Sequence, residues 1–153
     1  MQIEISRLTL QDKAAVFDLL QDPEVMRFLG PRRAMTAPEA ENWFAAELQA
    51  PSRFAFRECE NGELIGFCGV KSLDGKPDFG YFLRKAYWGK GLAKVMCHMA
   101  IARLEQEMTL ADLHVFIATE NTASHKIAAA LGWQKIAPTS NEHEEGWLYR
   151  LAA

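Results

Sequence analysis

A mixed α/β domain is the fold class this chain predicts. Two observations carry that reading. Apolar residues switch repeatedly between the alternation of a half-buried strand and the three-to-four spacing of a helix, and turn-forming residues mark most of the switches. The resulting order, β-α-α-β-β-β-α-β-α-β-β, interleaves strands and helices too evenly for an all-helical or all-strand architecture.

The elements follow in turn. "IEISRL" alternates, placing Ile3 and Ile5 on one face of a first strand. In "LQDKAAVFDLLQD", Val16, Leu19 and Leu20 share a helical face with Phe17 beside it, and Pro23 ends the helix. "TAPEAENWFAAELQA" begins with Thr36 and has Glu39 three residues on. That spacing is a capping box, in which hydroxyl and carboxylate satisfy the free N–H groups of a helix start. Pro38 is tolerated in the first turn, and the helix runs to about Gln49.

"RFAFREC", the Asn61-Gly62 turn and "ELIGFCGVKSL" form a hairpin, because Asn and Gly both accept positive φ. A second turn, "DGK" from Asp74, leads to "PDFGYFL", which carries Gly80 in its interior. A strand glycine marks a bulge or a close approach. From Leu92 to Met108 the apolar residues Leu92, Val95, Met96 and Met99 form a stripe widened by Cys97, Ile101 and Leu104. That girth predicts a helix buried against a sheet. "LHVFIAT" is the next strand. "NTASHKIAAAL" is a short helix begun by Asn121 and closed by Gly132, and "WQKIA" and "GWLYRLA" are the last two strands.

Composition narrows the function classes. The 153 residues suit a single domain spanning 1–153, with 49% hydrophobic and 24% charged residues. A formal net charge of −3 argues against a nucleic-acid coat, which needs a basic surface. Cys59, Cys68 and Cys97 form no C-x-x-C pair, and His98, His114, His125 and His143 have no metal-ligand spacing. The expectation is three reduced, largely buried thiols and no metal, with His98 and His125 touching solvent. Neither a signal peptide nor a membrane-spanning run is visible, so the expected location is the cytoplasm, with no membrane partner.

The most informative stretch is "YWGKGLA", Tyr87 to Ala93. A strand, a loop with two glycines and then a helix make a candidate anion site. The helix start offers unpaired N–H donors and partial positive charge, and residues without a Cβ let a phosphate approach. A P-loop would need glycine at Arg84 and Ser or Thr at Gly91; a dinucleotide fingerprint would need glycine or alanine at Lys94. Both fail. Pyrophosphate held by consecutive N–H groups and a plain turn before a helix remain as readings.

"GELIGFCGV", "DFGYFLRKAYWGKGLA" and "ENTASHKIAAALGWQK" stand in that order. Together they resemble the GCN5-related N-acetyltransferase (GNAT) superfamily, most of all its ribosomal-protein N-terminal acetyltransferase branch. The resemblance runs from Arg7 to about Lys135. It implies a mixed, mostly antiparallel sheet of six to seven strands flanked by about four helices. It also implies acetyl-CoA as co-substrate and an amine acceptor; the oligomeric state stays open, a homodimer being one reading.

The resemblance assigns roles residue by residue. The N–H groups of Trp88, Gly89, Lys90, Gly91, Leu92 and Ala93 would hold the CoA pyrophosphate. Phe82 and Leu83 would pair with the pantetheine arm, and Gly80 would mark a bulge opening a cleft. Asn121 would contact the same arm, besides its ordinary reading as a helix N-cap. Lys126 would meet the ribose 3′-phosphate. Ser124 would protonate the departing thiolate; its other reading is a first-turn helix hydroxyl.

Asp78 stands where the branch has glutamate, and would take the amine proton. Glu58 is the substitute, and a turn aspartate after Pro77 is the other reading. Trp43, Phe28, Trp147 and the acidic "NEHEE" are candidates to line the acceptor side. The implied function is acetyl transfer to a primary amine, of a protein N-terminus or a small molecule, by direct attack. A non-catalytic acyl-CoA-binding module is the alternative.

Overall fold

The computed structural model describes residues 1–73 and 75–151. Asp74, in the second expected turn, lies outside the described residues. Seven strands form one sheet: β1 (Ile3–Ser6), β2 (Phe54–Glu58), β3 (Leu64–Leu73), β4 (Lys76–Leu83), β5 (His114–Ala118), β6 (Gln134–Ser140) and β7 (Glu145–Arg150). Four α-helices flank it: α1 (Lys13–Leu20), α2 (Ala37–Gln49), α3 (Leu92–Leu104) and α4 (Thr122–Leu131). The strand order is β1-β2-β3-β4-β5-β7-β6, antiparallel everywhere except between β4 and β5. The element order is the one the sequence predicts.

Local chemistry accounts for the element boundaries. Thr36 Oγ1 accepts from Glu39 N at 3.3 Å, and Glu39 Oε1 accepts from Thr36 N at 2.8 Å, closing the expected capping box. Arg33 then grips both oxygens of Glu39, and with the Thr36 N–H bond it draws that carboxyl down to about 2. Gly132 ends α4 in the left-handed conformation, with φ of 73°. The first helix begins later than its periodicity predicts, because Leu10–Asp12 is wound as a 3-10 turn before α1.

The helices cover both faces of the sheet. Val16, Leu19 and Leu20 of α1 pack with Phe44 of α2 against Phe67 and Phe82. On the other face, Leu92, Met96, Cys97 and Ala100 of α3 and Ala128 of α4 pack against Ile65, Cys68, Phe79 and Leu83. Each large apolar side chain so enclosed contributes about 1.5–3 kcal/mol. β3 lies between the two layers, and its residues from Leu64 to Gly69 are all buried. Among the described residues no helix is long and apolar enough to cross a membrane.

Two expectations are corrected. Gly80 makes no bulge with β3: the β3–β4 register runs unbroken from Gly66↔Leu83 to Leu73↔Lys76, with Gly69 opposite Gly80. The sheet opens on the other edge of β4, where Asp78↔His114 is the only registered pair with β5. Cys59 is exposed, whereas Cys68 and Cys97 are buried, because Cys59 follows the end of β2 and the other two face the core.

Candidate active site

The glycine loop is built as a row of donors. Gly89 and Gly91 have φ of 77° and 74°, and a Cβ at either would meet nothing within 4 Å. The glycines therefore serve backbone conformation rather than packing. Gly91 caps α3 without any side-chain cap bond. Among the described residues, no N–H from Gly89 to Lys94 has an acceptor; the first one satisfied is Val95 N, on Gly91 O at 3.4 Å. A row of free N–H groups at the start of a 13-residue helix suits an anion with several oxygens, which is what a pyrophosphate presents.

One expected donor behaves differently. Trp88 N already donates to Lys85 O at 3.0 Å, so the free row starts at Gly89. The Trp88 indole also donates to Leu83 O at 2.9 Å, tying the loop to the end of β4. Lys90 and Lys126 are exposed and Leu92 is buried, so Leu92 offers only its backbone. Ala93 lies half-buried behind it.

The edge of β4 that faces β5 is the second part of the site. Arg84 N donates to Ile65 O, and Phe82 O lies 2.0 Å from where a Cβ on Gly66 would stand. Phe82 thus turns its carbonyl towards β3, whereas Leu83 O turns towards the opening and the Trp88 indole. Gly66 is glycine because that carbonyl leaves no space for a side chain.

Ser124 and Asn121 come together at the start of α4. Asn121 Oδ1 accepts from Ser124 N at 3.3 Å, which makes Asn121 the helix N-cap. Ser124 is buried, 6% exposed, and its Oγ lies 2.7 Å from Tyr81 Oη on β4. Burial pushes the Tyr81 phenol up to about 12, so it keeps its proton at ordinary pH.

Asp78 sits on the opposite face of β4. Its Oδ2 accepts from Arg53 Nη2 at 3.1 Å. Burial raises the Asp78 carboxyl above its ordinary value, and Arg53 and Arg32 offset part of that rise. Arg53 stands over the Phe82 ring at 5.6 Å, and its Nε is buried without a partner. Glu58 is not brought to this place: it ends β2 and acts electrostatically on Tyr87. Trp43 packs edge-on against Phe67 at 5.3 Å, Phe28 lies under Arg27, and Trp147 lies under Lys135 at 4.0 Å, so all three have partners of their own.

Comparison with known proteins decides the family. The model of the acetyltransferase (GNAT) domain matches residues 2–134. The chain belongs to the GNAT acetyltransferase family. It is similar to the uncharacterized N-acetyltransferase p20 of Bacillus licheniformis, at 27% identity over 143 residues, covering 88% of this chain and 80% of that protein. The uncharacterized N-acetyltransferase YoaA of Bacillus subtilis is 25% identical over 139 residues, covering 86% and 78%. The fold is shared with a GNAT-family acetyltransferase from Bacillus anthracis, with a TM-score of 0.78, 20% identity, and coverage of 97% and 92%. It is shared also with yncA of Salmonella typhimurium, solved with its cofactor acetyl-CoA, with a TM-score of 0.66, 17% identity, and coverage of 100% and 96%.

In this GNAT protein the sequence reading missed three groups, Tyr81, Arg53 and Arg32, and named Glu144 only within the acidic "NEHEE". Tyr81 and Arg53 were absent from it, although a tyrosine within the apolar "FGYFL" face needs a partner for its hydroxyl. Arg32 and Glu144 pair at 2.9 Å, joining the α1–α2 connection to the β6–β7 turn. Arg32 is the only non-glycine residue with positive φ among the described residues, at 62°. His125 does not simply face solvent: its ring nitrogens lie 2.6 Å from Tyr149 Oη and 2.9 Å from Ala118 O.

Proposed function

We propose that this chain, read as one acetyltransferase domain, moves the acetyl group of acetyl-CoA to a primary amine by direct attack. The observation that carries the reading is the row of free N–H groups from Gly89 to Lys94, set beside the β4 edge that parts from β5. The row suits the pyrophosphate, and the open edge suits an extended arm lying along β4 as an added strand. Asn121 and Lys126 would meet the arm and the ribose 3′-phosphate.

The residues divide the chemistry between the two faces of β4. Asp78 would take the proton that the attacking nitrogen must lose. Its raised carboxyl makes it a stronger base than an exposed aspartate. Ser124 would give a proton to the departing sulfur. Acceleration would come mainly from holding amine and thioester together. The acceptor is a primary amine, of a protein N-terminus or a small molecule, and the reaction is placed in the cytoplasm.

A calorimetric titration with acetyl-CoA, beside ATP and NAD, tests the cradle. Saturable binding of acetyl-CoA alone is expected, with at least a tenfold loss in Gly91→Glu, which puts a carboxylate into the anion site and a side chain at positive φ. CoA release with spermidine, a peptide with a free N-terminus, a lysine peptide and kanamycin then tests transfer. Binding without release by any of them would favour the non-catalytic acyl-CoA-binding module.

A further inference from the structure

We propose that Tyr81 is a positioning residue for acetyl transfer: its hydroxyl donates to Ser124 Oγ across the β4–α4 junction and frees the serine proton for the departing sulfur. This rests on the reading of Ser124 as proton donor. The argument begins with the strand. Side chains alternate along β4, so Phe79, Tyr81 and Leu83 face the α3/α4 layer, and Asp78, Gly80 and Phe82 face the α1/α2 layer. Tyr81 therefore points at the start of α4, where Asn121 has fixed the backbone of Ser124.

The direction of the 2.7 Å bond follows from the acidities of the two hydroxyls. Among the described residues Ser124 Oγ is the only hydrogen-bond partner of Tyr81 Oη. Whichever hydroxyl donates, the other's proton has no partner among the described residues. With the phenol as donor, its proton is satisfied and the serine O–H is left for a ligand. A phenol is more acidic than an alcohol and so the better donor, which selects this direction. Because burial holds Tyr81 protonated, the arrangement persists across the working range of pH.

The reaction balances without further reagents. The amine nitrogen forms the new bond to the acetyl carbon, and the carbon–sulfur bond breaks with its electron pair on sulfur. Ser124 passes its proton to that sulfur and is reprotonated from solvent, while the nitrogen loses its surplus proton to Asp78 and then to solvent. Tyr81 loses no proton. Its donated bond stabilises the charge that develops on Ser124 Oγ, and so lowers the barrier through the serine.

The test uses the full chain with acetyl-CoA and whichever panel amine releases CoA fastest. Tyr81→Phe keeps the ring and removes only the hydroxyl. We expect kcat to fall roughly tenfold with KM for acetyl-CoA unchanged, and Ser124→Ala to fall further. The double variant should be no slower than Ser124→Ala alone, a non-additivity that mere loss of packing does not produce. Normal kcat in Tyr81→Phe beside an impaired Ser124→Ala overturns the inference alone, as does a penalty that adds fully in the double variant. Normal kcat in Ser124→Ala overturns the proton-donor reading. No release by the wild-type chain, despite acetyl-CoA binding, overturns transfer itself, and the inference with it.

Discussion

Two aspartate–arginine pairs flank the same sheet and behave in opposite ways. Asp12 meets Arg57 through both carboxylate oxygens, at 2.7 and 2.5 Å, and accepts again from Thr9 N at 2.8 Å. Asp78 receives one bond from Arg53, at 3.1 Å. Burial would raise both carboxyls. At Asp12 the Arg57 and Thr9 hydrogen bonds overcome it and the carboxyl is lowered; at Asp78 burial prevails and the carboxyl is raised. The difference is the number of donors around the carboxylate, not residue type. A fully saturated pair is a fastener between the first turn and β2. An undersaturated one keeps a lone pair and a tunable proton, which is what a base beside an amine site requires.

The largest effect should come from breaking the fastener. Asp12→Ala leaves Arg57 mostly enclosed, with a side chain 13% exposed and its counter-ion gone, and should cost about 3 kcal/mol in denaturant unfolding. The folded fraction should keep its kcat. Unchanged stability would make the two pairs equivalent and end the comparison. The next effect is chemical: Asp78→Asn should lower kcat/KM by about 10²-fold, the usual scale for losing a general base, with acetyl-CoA affinity retained. A decline below threefold would remove Asp78 from the reaction.

Smaller effects appear in pH dependence. Protonated Asp78 accepts no proton, so kcat/KM should rise with pH through the raised Asp78 value. Arg53→Met removes the cation that partly offsets burial, and the acid limb should move to higher pH. A stationary limb would assign it to another group. For stability the signs oppose. The contribution of Asp12 is complete above the ordinary carboxylate value and is lost as pH falls through its lower folded value. Asp78 favours its protonated form in the fold, so its contribution is present below the ordinary value and is lost as pH rises through the raised one. Melting curves between about pH 3 and 7 should therefore lose part of their acid slope in Asp12→Asn and steepen slightly in Asp78→Asn.

Much of the fold was legible because its signals are local. The Thr36–Glu39 box, the Asn61-Gly62 turn and the Gly132 stop act over a few residues, and each stands where the pattern placed it. The glycine loop was legible for the same reason, since conformation and free donors both follow from neighbours along the chain. The bulge expected at Gly80 did not survive, because a glycine reports that space or freedom is needed and not which strand departs. The partners of His125 were not legible because Ala118 and Tyr149 lie on other elements.

By itself, then, the sequence determined the element order, the helix ends and the loop that starts α3. Side-chain spacing and backbone preference act within a turn or two, and no distant partner is needed to read them. The tertiary structure alone decided which carboxylate is saturated and which is left with a lone pair, and it alone set Tyr81 against Ser124. Those pairs join residues 25 to 45 positions apart. They exist because sheet order and the direction of the β4 side chains bring them within 3.1 Å, a matter of packing that no periodicity records.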